Sequence, residues 1–106
     1  MVNYILGHWT QIGGTSASAP IWAGLMAIAN QMAGHPLGLI NPGLYKLAQS
    51  STYTQDFHDI TIGNNSVREK GVQVQSYTAA PGWDPVTGLG SPNAEKLIPD
   101  LIAAMK

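Results

Sequence analysis

Apolar and polar positions along this chain fall into three kinds of pattern. Val2 to Leu6 and Trp9 to Ile12 are β-prone runs around Gly7-His8. They predict a hairpin or two short strands. Ala17 to Ala33 is a run of small and apolar residues. Ile21, Trp22, Leu25, Met26, Ile28, Ala29 and Met32 spread around the whole helical wheel. A helix apolar on all sides is one buried on all sides. This predicts a central helix belonging to something larger than this chain easily wraps. Gly34 is its natural C-cap, and Pro36 blocks continuation. Asn41-Pro42 predicts a shorter helix with Asn41 as cap and an apolar face of Leu44, Leu47 and Ala48.

Further along, polar character dominates. Ser50 to Gln55 reads as a loop, and Ile62 to Lys70 as a polar stretch with turn chemistry at Gly63-Asn64-Asn65-Ser66. Val72, Val74 and Tyr77 alternate with polar neighbours, as in a short strand. Thr78 to Pro92 is rich in Gly and Pro and reads as a loop. Asn93 or Ser91 is placed to cap a last amphipathic helix over residues 94–104, with Leu97, Ile98, Leu101 and Ile102 inward. No repeat or low-complexity tract interrupts the chain.

The totals narrow the setting. One domain of 106 residues holds a modest core. Its charged fraction is 10%, well below the usual quarter, so there is little to solvate a free-standing surface. Much of that surface is therefore expected to lie against other protein. A net charge of -1 argues against nucleic acid or an anionic membrane as partner. With no cysteine, disulfides and thiolate chemistry are excluded. No signal peptide is visible after Met1. Gly24, Asn30 and Gln31 interrupt the long apolar run, which reads poorly as a membrane span.

Two places hold candidate chemistry. The first is Gly13-Gly14-Thr15-Ser16-Ala17-Ser18-Ala19-Pro20. Two glycines permit a sharp turn, and Pro20 lies early in the helix that follows. Ser16 then stands in the positive field of a helix N-terminus beside unpaired N–H groups, which helps a nucleophile and an oxyanion. Ser and Thr caps are common, so from residue types alone a capping role for Thr15 or Ser16 is the stronger reading. A serine nucleophile also needs a base. His35 lies at the far end of the helix, His8 at a hairpin tip, and His58 beside Asp59. None reads as that base, and no pair of carboxylates forms a dyad on one helix face.

The second place is a possible hard-cation site. Asp59 and Asp84 lie in loop-like segments whose Gly and Pro residues expose backbone carbonyls, a donor set that suits Ca²⁺. Aspartate beside glycine or proline is more often plain turn chemistry.

Taken in order, four stretches resemble the sedolisin family of serine-carboxyl peptidases. They are Gly14-Thr15-Ser16-Ala17-Ser18-Ala19-Pro20, Leu39-Ile40-Asn41-Pro42-Gly43-Leu44-Tyr45, Phe57-His58-Asp59-Ile60-Thr61-Ile62-Gly63-Asn64-Asn65, and Pro81-Gly82-Trp83-Asp84-Pro85 running on to Asn93. Gly-Thr-Ser alone is shared with subtilisins; the ordered set is more specific. A subtilisin enzyme of the Ser-His-Asp kind is disfavoured, since no histidine is well placed.

The resemblance implies an α/β chain, the C-terminal part of a subtilisin-like fold. Residues 1–106 would be one segment of a peptidase domain, with a buried central helix after the nucleophile turn, short strands and a calcium-binding loop region. It implies cleavage of peptide bonds at acidic pH, with Ser16 as nucleophile. It implies Ca²⁺ held by the Asp59 and Asp84 carboxylates and the carbonyls of Ile60, Ala80 and Gly82. Position 80 is usually glycine in that motif; alanine keeps the carbonyl but constrains the loop. A peptide or protein substrate follows, as does a secreted or acidic compartment. The family's catalytic glutamate, its aspartate partner and the oxyanion aspartate all precede the serine. Met1 to Thr15 contain no Asp or Glu. The chain is therefore expected to be inactive alone and to partner the missing N-terminal part of the domain, or itself. The competing expectation is an inert calcium-binding or protein-association module that keeps the fold.

Overall fold

The computed structural model describes all 106 residues, Met1–Lys106. It contains both helix and short strand, arranged as two compact units, Met1–Leu37 and Gly38–Lys106.

The first unit opens with an antiparallel hairpin of β1 (Val2–Ile5) and β2 (His8–Gln11). Its two-residue turn, Leu6-Gly7, has φ of 51° and 82°. Positive φ at both positions matches the twist of a tight hairpin, and glycine takes the second without a Cβ penalty. Tyr4 faces Trp9 across the ladder, with ring centroids 5.2 Å apart, edge to face. Such a cross-strand aromatic pair holds the register.

Helix α1 (Thr15–Ala33) follows. Gly34 ends it at φ 77°, and its N–H donates to Asn30 O at 3.0 Å. The Asn30 side chain takes the next turn, accepting from Leu37 N–H at 2.9 Å. The expectation of an enclosed helix is not met within this chain. Ala29 is the only buried residue of α1, while Ile21, Ile28 and Met32 are about half exposed or more. A helix apolar on every face needs neighbours on every face, and this chain does not supply them.

The second unit carries nearly all of the core. Helices α2 (Asn41–Ala48) and α3 (Tyr53–Asp56) pack on α4 (Ala94–Ala104). Leu47, Phe57, Ala79, Leu97, Ile98 and Leu101 are buried between these elements and their loops. Gly43 lets α2 approach closely: a Cβ there would come 2.7 Å from Met105 Sδ and 2.8 Å from Leu101 Cδ1. Strand β3 (Phe57–His58) pairs antiparallel with the terminal β6 (Ser91–Pro92). Between them β4 (Val67–Glu69) and β5 (Val72–Val74) form a second hairpin. Its Lys70-Gly71 turn repeats the double positive φ, at 50° and 80°.

Three expectations are corrected. The Ser50–Gln55 loop contains most of α3, and the polar Ile62–Lys70 stretch contains β4. Neither Asn41 nor Asn93 caps through its side chain. In α2 the helix starts a residue early, because Leu44 N–H, which Asn41 would have capped, donates to Ile40 O at 3.0 Å. In α4, Lys96 N–H turns to the Asn93 carbonyl at 3.1 Å instead of its side chain.

Candidate functional site

Ser16 lies in the first turn of α1. Gly14 precedes that turn at φ 66°, ψ −161°, a conformation essentially restricted to glycine. Its carbonyl accepts from Ala17 N–H at 3.1 Å and Ser18 N–H at 3.2 Å, and from the Ser18 hydroxyl at 3.2 Å. No side chain caps the helix, so neither Thr15 nor Ser16 is spent on that role. Ser16 is exposed. It borders a surface concavity of about 450 Å³ that it shares with Tyr4, Ile5, Ile12, Pro20 and Ile21. A hydroxyl at the start of a 19-residue helix, beside N–H groups with no intrahelical partner, is placed to bear developing negative charge. His35 closes the other end of that helix, about 28 Å away at 1.5 Å per residue, with Nδ1 donating to Pro36 O at 3.0 Å.

The second unit gathers the acidic candidates. Asp59 Oδ2 accepts from Gly82 N–H at 2.7 Å, joining segments 23 residues apart. The Thr87 hydroxyl lies 2.8 Å from Asp84 Oδ2 and 3.5 Å from Ile60 O. Asp59, Ile60, Gly82 and Asp84 are thereby drawn into one locality. Ala80 joins them, its N–H donating to Asp84 Oδ2 at 3.2 Å. No cluster of three or more His, Cys, Asp or Glu side chains is present, so a cation here would depend on backbone carbonyls.

The two carboxylates are held differently. Asp84 is 2% exposed, and its oxygens accept four hydrogen bonds. Burial opposes its charge. Donors from the Thr87 N–H and hydroxyl, Ala80 N–H and Val86 N–H outweigh burial and hold the carboxyl down at about 2. A depressed value in the folded chain means that Asp84 adds stability above its ordinary 3.8, and that this is lost as pH falls through about 2. Asp59 has one donor on Oδ2, while Oδ1 is buried without any. That lone oxygen suits a hard cation. Asp84 has about four lone-pair positions and four donors. It would have to release one, and the 3.2 Å bond from Ala80 is the longest.

Two residues of this locality escaped the sequence reading. Thr87 follows Asp84 by three positions, the spacing at which an Asp side chain closes its own turn, and that spacing was the available signal. Tyr53 sits in the stretch read as a loop. Its hydroxyl donates to Leu89 O at 3.1 Å. Burial, then the charge and hydrogen-bonding proximity of Asp59, and more weakly the charge of Asp84, raise its phenol above the ordinary value.

Comparison with known proteins fits this arrangement to a class. No family model matches the chain. Its sequence is 48% identical over 96 residues to kumamolisin from Bacillus sp. (strain MN-32), covering 91% of this chain and 16% of that protein. It is 45% identical over 91 residues to tripeptidyl-peptidase 1 of Dictyostelium discoideum, covering 82% and 14%. It is 36% identical over 96 residues to tripeptidyl-peptidase 1 of Homo sapiens, covering 86% and 16%. The class these relatives define is peptidases. The chain belongs to the sedolisin family and corresponds to a C-terminal portion of it. It spans only 14–16% of the length of these relatives. No helix is long and apolar enough to cross a membrane.

Proposed function

We propose that this chain is the nucleophile-bearing segment of a serine-type peptidase that cleaves peptide bonds at acidic pH. Ser16 attacks the scissile carbonyl; the N-terminus of α1 favours the negative charge that develops. The base is a carboxylate from the remainder of the catalytic domain, which lets the site run where histidine would be fully protonated. That remainder, or a second copy, covers the exposed apolar faces of α1. The protein acts on peptides or proteins in a secreted or acidic setting. The observation that carries the reading is an exposed Ser16 behind a glycine-only turn, in a chain 48% identical to kumamolisin over the same stretch.

Unit Met1–Leu37 has no Asp, Glu, Lys or Arg, so Ser16 has no carboxylate base in its own unit. The purified chain is expected to hydrolyse no peptide by itself. Kumamolisin with its matching segment exchanged for this chain is expected to cleave peptides at acidic pH and to lose that activity on Ser16→Ala. An exchanged protein that melts cooperatively but cleaves nothing overturns the proposal and favours an inert calcium-binding or association module.

In the same reading Ca²⁺ is held by the Asp59 and Asp84 carboxylates and the carbonyls of Ile60, Ala80 and Gly82. Such an ion neutralises two neighbouring negative charges and fixes the loop that follows β5. The unpartnered Asp59 Oδ1 supports this. At Ca²⁺ a hundredfold above Kd the expected stabilisation is about 2.7 kcal/mol. Thermal unfolding with Ca²⁺ and with chelator reads it directly. Asp59→Asn should abolish the difference; equal midpoints in the unsubstituted chain would remove the site.

A further inference from the structure

The turn that carries Asp84 closes on itself. Asp84 N–H donates to Gly88 O at 3.2 Å, and Gly88 N–H returns to Asp84 O at 2.9 Å. Within it the Asp84 carboxylate is taken up by its own chain. Oδ1 accepts from Val86 N–H at 2.7 Å and Thr87 N–H at 2.8 Å, which fill both of its lone-pair positions. Oδ2 accepts from the Thr87 hydroxyl at 2.8 Å and from Ala80 N–H at 3.2 Å. Of these donors the Thr87 hydroxyl alone belongs to a side chain. The same hydroxyl oxygen lies 3.5 Å from Ile60 O, on the segment of Asp59. A hydroxyl has one hydrogen, and the 2.8 Å contact claims it; 3.5 Å is too long for a sound O–H···O bond. Thr87 therefore stands beside Ile60 O without using up its lone pairs. Other bonds hold the turn against the Asp59 segment. Gly82 N–H donates to Asp59 Oδ2 at 2.7 Å, Gly90 N–H to Thr87 O at 3.0 Å, and the Tyr53 hydroxyl to Leu89 O at 3.1 Å.

We infer that Thr87 is a positioning residue of the Ca²⁺ site, its hydroxyl holding Asp84 Oδ2 beside Ile60 O so that both can face one ion. The inference rests on the calcium reading above and adds to it a residue that does not touch the ion. For Oδ2 to become a ligand, Ala80 N–H must give way. The Thr87 hydroxyl then occupies one lone-pair position of Oδ2 and leaves the other free, in a fixed direction. Without that hydroxyl, Oδ2 keeps only Ala80 N–H, the donor that competes with the ion. Groups that orient a metal-ligating carboxylate in this way govern metal affinity by about 10–100-fold.

Calorimetric titration of the chelator-stripped chain with Ca²⁺, run beside thermal unfolding, tests it. Thr87→Val puts a methyl group of similar size in place of the hydroxyl and should weaken Ca²⁺ binding about 10–100-fold. Thr87→Ser returns the hydroxyl and should return the affinity. A role in packing alone would lower the melting midpoint in chelator and leave Kd unchanged. If Thr87→Val fails to fold, Thr87→Ala, which places no second methyl beside the carboxylate, carries the same expectation. An unchanged Kd on loss of the hydroxyl, or a weakened Kd that serine does not restore, overturns the role of Thr87 and leaves the calcium reading standing. No heat of binding and no shift of the midpoint in the unsubstituted chain overturns both.

Discussion

The two units solve opposite problems. Met1–Leu37 has no Lys, Arg, Asp or Glu and buries one apolar residue, Ala29. Gly38–Lys106 holds every charged side chain of these four types and buries Leu47, Phe57, Ala79, Leu97, Ile98 and Leu101. The unit with the candidate nucleophile is thus apolar and uncovered. The unit with the acidic loops has its own core and its own polar surface. The first unit leaves Tyr4, Trp9, Ile21, Ile28 and Met32 in the open, an uncharged apolar surface of the kind that marks an interaction site. The chain spans 14–16% of the length of its relatives, and in the proposed reading the remainder of the domain covers this surface.

The largest expected contrast is in core truncation. Leu97 is fully buried, so Leu97→Ala should cost about 2–5 kcal/mol. Ile28 is 50% exposed, so Ile28→Ala should change stability by no more than about 0.5 kcal/mol. Urea unfolding of the two variants measures both. A comparable loss at Ile28 would mean that α1 is already covered, by self-association, and would break the comparison.

The next contrast is between two glycines. At Gly90, φ is 91°, and a Cβ would press on the His58 carbonyl and come 3.1 Å from Asp59 Cα. At Gly14 the backbone is equally special, yet nothing lies within 4 Å of a Cβ. Gly14→Ala should cost only its backbone strain, about 1–3 kcal/mol. Gly90→Ala should cost more, because β3 must shift as well, and Asp59 shifts with it. The same urea titration ranks the pair. Equal losses would mean that the close approach of residue 90 to β3 has no energetic weight.

The same division explains what was legible in the chain. Long apolar patterns declared themselves: α1 with its Gly34 stop, the β1–β2 hairpin and the inward face of α4 follow from periodicity and punctuation. Short elements did not. A four-residue helix such as Tyr53–Asp56 is too brief for a 3.6-residue period, and β4 has one apolar residue in three. What defines β4 is the Lys70-Gly71 turn, whose double positive φ dictates the pairing of its flanks. In the acidic region Asp59 and Asp84 were visible as residue types. The hydrogen bonds that draw them together were not, because Gly82 N–H meets Asp59 across 23 positions. Ser16 was visible as one of two hydroxyls at a helix start. Only the geometry of Gly14 showed that neither hydroxyl serves as the cap.

The smallest expected effect sharpens the comparison most. Gly24 sits mid-helix in α1, with no positive φ and nothing within 4 Å of the place an added methyl group would take. In the chain alone, Gly24→Ala should therefore stabilise α1 by about 0.5–1 kcal/mol, the ordinary gain of replacing glycine in a helix interior. Helicity followed by circular dichroism on heating reads this gain. Placed in kumamolisin through the exchanged segment, the same substitution should reverse sign if the remainder of the domain packs against the small residues Ala19, Ala23, Gly24 and Ala27. A close-packed helix crossing leaves no room for an added methyl, and overpacking typically costs about 1–3 kcal/mol. A substitution that stabilises one context and destabilises the other would place the proposed contact with the remainder of the domain on this face of α1. One that stabilises both would leave Gly24 on a face that stays open and move the covered face to the stripe of Ile21, Ile28 and Met32.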